Sequence, residues 1–144
     1  MDNSQATDLT KAQVLFLCTL TAKEYQNAIR AEKKAGTVAR RAEQAERVRK
    51  ADDVFTAMKR ASDGLRASPS GEVQTLELSR AQITLLRILA AKEYHNAVRA
   101  EQKARTILRM TEQAERVRKA DDLYKTIKLI SRNEADILHL NPAS

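Results

Sequence analysis

Nine cationic side chains have the types and spacing to do chemistry: Arg30, Lys33, Lys34, Arg40 and Arg41 in one cluster, and Arg99, Lys103, Arg105 and Arg109 in another. Side chains of this kind hold anionic groups by charge and by directed hydrogen bonds; on their own they make and break no bonds. Only Glu32 and Glu101 oppose them. Residues 30–41 and 99–110 therefore carry the whole +7 formal charge of the 144-residue chain, and the rest sums to zero. The run EQAERVRKADD, present at 43–53 and again at 112–122, compensates itself. Within it Glu43 and Arg47, Glu46 and Lys50, and Arg49 and Asp53 stand at i,i+4 spacing, which predicts pairing along one solvated helix face. Arg47 and Arg116 are accordingly expected to lie outside any binding set.

Such clusters suit phosphates of DNA or RNA, an acidic protein surface or an anionic membrane surface. They contain no interleaved aromatic residues for base stacking and no Asn or Gln pairs for reading base edges. Any nucleic acid would be bound without sequence preference.

Catalysis finds little to work with. The two histidines are His95 and His139, and the first faces Gln26 in the repeat described below. No Cys/His cluster has metal-ligand spacing, and no glycine-rich loop could cradle a phosphate. Glu24, Glu32, Glu93 and Glu101 lack the Glu-x-x-His partners of carboxylate metal sites and sit among Lys and Arg, which predicts ion pairing at the surface instead. Tyr25 and Tyr94 fit a helix core with the hydroxyl at its edge. No enzyme activity, metal or cofactor is expected. The lone Cys18 excludes an internal disulfide.

The elements that must position these residues are written twice. Residues 11–62 align without a gap onto 80–131 at an offset of 69, with 30 of 52 positions identical. Whatever the first copy folds into, the second should also fold into. Thr10 and Gln13 have capping-box spacing with Leu9 and Val14 as a staple, and Ser79, Gln82, Leu78 and Ile83 repeat all four roles. Gly64 and Asn133 match each other as residues that tolerate a left-handed C-cap. The spacing thus predicts one helical domain over 1–144 with repeat units 10–64 and 79–133. A Ser-Pro-Ser-Gly linker lies within 65–78, and a short terminal turn, capped by Ser131 and Glu134, occupies 134–144.

The fold class is all-α. An apolar stripe through Ile83, Leu86, Ala90, Tyr94, Ala97, Ala100, Ala104, Ile107, Ala114, Val117, Tyr124 and Ile127 has a period near 3.5. It predicts one long helix per repeat, roughly 80 Å each, folded into a coiled-coil-like antiparallel hairpin; the alternative is a four-helix bundle. Full-length antiparallel helices would set the two basic clusters side by side as a belt, and Leu108→Pro would interrupt a helix interior. Ala28, Ala31, Ala35, Ala42 and Ala45 would allow close helix approach at the middle. The ends carry surplus bulk in Val14, Leu15, Phe16, Leu17, Leu85, Leu86, Leu89, Leu123, Ile127 and Ile130, which predicts self-association into a homo-oligomer or docking on a protein partner. The apolar stretch VLFLCTLTA follows acidic rather than basic residues, and its second copy carries Arg87. It reads as helix core in a cytoplasmic protein without a transmembrane segment.

Overall fold

The computed structural model describes residues 4–65 and 73–140, with side chains in the second stretch as far as Leu129. Its elements are β1 (Gln5–Thr10), α1 (Lys11–Lys34), α2 (Val38–Gly64), β2 (Val73–Leu78), α3 (Arg80–Lys103) and α4 (Ile107–Leu140). Helices pack in pairs, α1 on α2 and α3 on α4, so the chain is all-helical in class with one short ribbon. Two compact units divide it: residues 1–86 hold both strands, α1, α2 and the first turns of α3, and residues 87–144 hold the rest of α3 and α4.

Both expected capping boxes form. The Gln13 amide donates to Thr10 Oγ1 at 3.2 Å while the Thr10 amide donates to Gln13 Oε1 at 3.0 Å. Ser79 and Gln82 repeat the exchange at 3.1 and 2.8 Å. Each box satisfies two amides that a helix start would otherwise leave open. Thr10→Ala and Ser79→Ala are each expected to cost about 1 kcal/mol in urea denaturation, and no loss at either site would contradict the assignment.

Where one continuous helix was expected in each repeat, the structure has two. Ala35 leaves α1 in an extended conformation (φ −66°, ψ 125°), and Thr37 (φ −126°, ψ 157°) caps α2 by accepting from the Arg40 amide at 3.1 Å. Thr106 accepts from the Arg109 amide at the same distance. The break is thus made by threonine caps and needs no Pro. Leu108 becomes the second residue of α4, so a proline there no longer probes a helix interior. The better probe is Val38, first in α2 and preceded by an extended Thr37, a geometry proline accepts. Val38→Pro should cost less than about 1 kcal/mol and Val48→Pro more than about 3; equal losses would restore the continuous helix.

Two other helix ends also differ from expectation. Gly64 adopts no left-handed conformation and is the last residue of α2, which is closed by the Leu65 amide donating to Ala61 O at 3.2 Å. α4 runs on through Ser131 and Asn133, where a stop and a new cap were expected, to Leu140.

The buried faces repeat position by position. Val14, Leu17, Leu20, Thr21, Glu24 and Ala28 are buried on α1, and their counterparts Ile83, Leu86, Leu89, Ala90, Glu93 and Ala97 on α3. Ala51, Val54 and Met58 on α2 match Ala120, Leu123 and Ile127 on α4. Tyr25 stacks on Phe55 across the first hairpin, ring centroids 6.4 Å apart. Thr21 is tolerated in this core because its hydroxyl donates to Leu17 O at 2.8 Å.

The ribbon extends the repeat beyond its expected start. β1 pairs antiparallel with β2, Gln5 opposite Leu78 and Thr10 opposite Val73. Thr7 faces Leu76, its own counterpart at the offset of 69, so the strand register is symmetric about that pair. Leu9, Thr7 and Leu78 point inward, while Ala6, Asp8, Thr75 and Glu77 face solvent and the Thr75 hydroxyl donates to Asp8.

Candidate polyanion-binding tips

The two basic clusters sit at the turns of the two hairpins. Arg30, Lys33 and Lys34 close α1, Arg40 and Arg41 open α2; Arg99 and Lys103 close α3, Arg105 lies in the turn and Arg109 opens α4. They are not at helix midpoints, and the juxtaposition expected from two full-length antiparallel helices has no basis in four shorter ones. Each cluster belongs to the tip of its own hairpin.

All nine side chains are exposed, and none forms an ion pair with a carboxylate among the described residues. The surrounding stretches are bare as well. From 33 to 46 only Ala35 and Gln44 are partly covered, and from 102 to 115 only Ala104 and Gln113. Ala42 and Ala45, expected to seat a close helix crossing, are solvent-exposed instead; the close packing is further down, at Ala28 and Ala51.

Helix electrostatics explain the cations on one side of each turn only. Lys33, Lys34 and Lys103 lie in last turns, where the negative end of the helix dipole favours them. Arg40, Arg41 and Arg109 lie in first turns that hold no acidic residue. There the dipole works against a cation, by about 0.3 kcal/mol or more at an exposed site. Helix stability therefore gives no reason for these three arginines.

Below the tips lies a pair of inter-helix clamps that differ from the pairing read in the sequence. Arg47 reaches across to α1 and grips Glu24 with both arms of its guanidinium, Nε to Oε2 at 2.8 Å and Nη2 to Oε1 at 2.9 Å. Arg116 grips Glu93 at the same two distances. The expected local partners Glu43 and Glu112 are not used. Glu24 is only 8% exposed, and its carboxylate, as hydrogen-bond acceptor, raises the Arg47 guanidinium above its ordinary value. The other i,i+4 expectations hold in part. Arg49 pairs with Glu46 and Arg118 with Glu115 at i,i+3, and Arg118 also reaches Asp122 at 3.6 Å. Hydrogen bonds from these arginines lower Glu46 and Glu115 below the usual carboxylate value. The support such pairs give is present above the ordinary carboxylate pKa and is lost as pH falls below it.

Of the ten residues expected to drive self-association, Val14, Leu17, Leu86, Leu89, Leu123 and Ile127 are buried within the chain. Leu15 is exposed, Phe16 and Leu85 are half-buried, and the Ile130 side chain lies outside the described residues. Among the described residues no three His, Cys, Asp or Glu side chains gather to hold a metal ion. Burial raises the Cys18 thiol above its ordinary pKa, which keeps it protonated at neutral pH. No described helix is long and apolar enough to cross a membrane.

A two-stranded ribbon can enter a DNA major groove, but the outward face of this one presents Asp8 and Glu77, which repel phosphate. The exposed cations of the two clusters are at the hairpin tips instead. Comparison of the chain with protein-family models, with curated proteins and with solved structures gave no match.

Proposed function

We propose that this chain is a non-enzymatic helical interaction protein that docks on polyanionic surfaces through the tips of its two hairpins. One observation carries the reading: nine exposed cations without carboxylate partners are confined to two hairpin tips whose stretches, with Glu32 and Glu101 included, carry the net charge of the whole chain, and three of the nine lie where the helix dipole disfavours them. Contact through long, exposed Lys and Arg side chains is electrostatic, fast and tolerant of the partner's fine structure. A nucleic acid bound this way, as by a coat protein, would be held by its phosphates irrespective of sequence.

The test is equilibrium binding of the purified chain, at low salt, to duplex DNA of two unrelated sequences and to vesicles containing phosphatidylserine. Binding to at least one polyanion, weakening linearly on a log-log plot against salt, is the expected result; a DNA slope of about −4 to −6 corresponds to five to seven phosphate contacts. Absence of binding to all of them at low salt would refute the proposal.

A further inference from the structure

The two tips have diverged, and the second has gained an apolar surface. At the offset of 69, Val38, Ala39 and Arg41 of the first tip are replaced by Ile107, Leu108 and Met110 of the second. Each change enlarges the apolar area or removes a charge. Nothing in the fold absorbs the gain: Ile107 is 83% exposed, Leu108 71% and Met110 47%. Successive helix positions are turned by 100°, which places these three in the first turn of α4 on one side and Arg109 on the other. Lys103 and Arg105 precede them across the turn, and Arg99 lies one helical turn back on α3.

We propose that the second tip binds the surface of an anionic lipid bilayer, Ile107 and Leu108 entering the acyl boundary while Lys103, Arg105 and Arg109 meet the headgroups. The inference rests on the polyanion-docking reading and names its surface. Phosphates of a nucleic acid satisfy the cations but leave three large aliphatic side chains in water. An anionic bilayer accepts both, because its headgroups attract Lys and Arg and the layer beneath them takes apolar side chains. Charge complementarity fixes the sign of the lipid, and the aliphatic cluster selects a lipid surface over other polyanions. Insertion is shallow, since no described helix can span a membrane. The first tip, with Ala39 and Arg41 at the matching positions, is held by charge alone.

The chain has no tryptophan, so Leu108→Trp installs a single reporter in the 144-residue chain, with Val38→Trp as its counterpart. With vesicles of equal parts phosphatidylcholine and phosphatidylserine, the emission of Leu108→Trp should shift to the blue and be quenched by brominated acyl chains, whereas Val38→Trp should show neither effect. Flotation should show the double variant Ile107→Ser, Leu108→Ser partitioning onto these vesicles at least roughly tenfold less than the wild type, with an unchanged melting curve and unchanged retention on immobilised polyphosphate. Vesicle binding that ignores the serine substitutions would overturn this inference alone. So would binding to duplex DNA without binding to vesicles, and both outcomes leave polyanion docking intact. Failure to bind vesicles, duplex DNA and polyphosphate alike would instead remove the reading beneath it.

Discussion

Reversal of Arg30, Arg40, Arg99 and Arg109 to glutamate is expected to lower affinity for an anionic surface by at least about a thousandfold at about 0.1 M salt, because each change removes an attraction and adds a repulsion where the partner sits. The matched control reverses Lys50, Lys59, Lys119 and Lys128. These are exposed lysines on α2 and α4, outside the tip clusters, and their reversal changes the net charge equally. It should cost less than about tenfold, since charges beyond a Debye length of about 10 Å are largely screened at moderate salt. Arg47 and Arg116 are unsuitable controls: both hold their hairpins together. Similar losses from the two sets would mean that diffuse charge, not the tips, attracts the partner.

Loss of an inter-helix clamp is expected to be the most damaging single change on the polar side of the fold. Arg47→Ala leaves the Glu24 carboxylate buried against α2 without its counter-ion and without two charge-assisted hydrogen bonds. A fully buried broken pair costs about 3 to 5 kcal/mol. Arg47 is partly exposed, so water can reach the site, and about 2 to 3 kcal/mol is expected here, as for Arg116→Ala. Replacing both partners, Glu24→Leu with Arg47→Leu, should recover most of that loss, because no charge is then left unpaired. Arg49→Ala, which breaks an exposed pair within one helix, should change stability far less than Arg47→Ala. Chemical denaturation of these variants gives the comparison. Equal effects of Arg47→Ala and Arg49→Ala would show that the clamp contributes no more than a surface pair.

The helical class, the repeat, both capping boxes and the buried positions away from the tips could be read from the sequence because each rests on local spacing, whereas the apolar stripe fails at the second tip, where Ile107 and Ala114 are exposed. Thr10 with Gln13 and Ser79 with Gln82 carry complete signals within four residues. The turns at the tips carry half a signal. Thr37 and Thr106 are caps without Glu or Gln three residues on, and the apolar period runs through them with only a lapse at Thr111, so a continuous helix fits the same letters. The clamp was illegible for a related reason. Arg47 has Glu43 one turn away in sequence, and preference for Glu24, 23 positions back, exists only once the chain has folded on itself. β1 and β2 are six residues each, and each is stabilised by a partner more than sixty residues away. Leu9 and Leu78 stood out only as helix staples. The nine cations were legible as a set, since charge needs no fold to be counted, but their place at two tips depended on the breaks.

A map of the contact surface tests the central claim most directly. Titration of the isotopically labelled chain with saturating short duplex DNA or anionic lipid nanodiscs, followed by NMR, should perturb amide and arginine side-chain resonances within 30–41 and 99–110, leaving the ribbon and the resonances of Lys50, Lys59, Lys119 and Lys128 in place. Perturbations spread evenly over the lysines and arginines of the chain, or concentrated on the ribbon, would contradict docking through the hairpin tips.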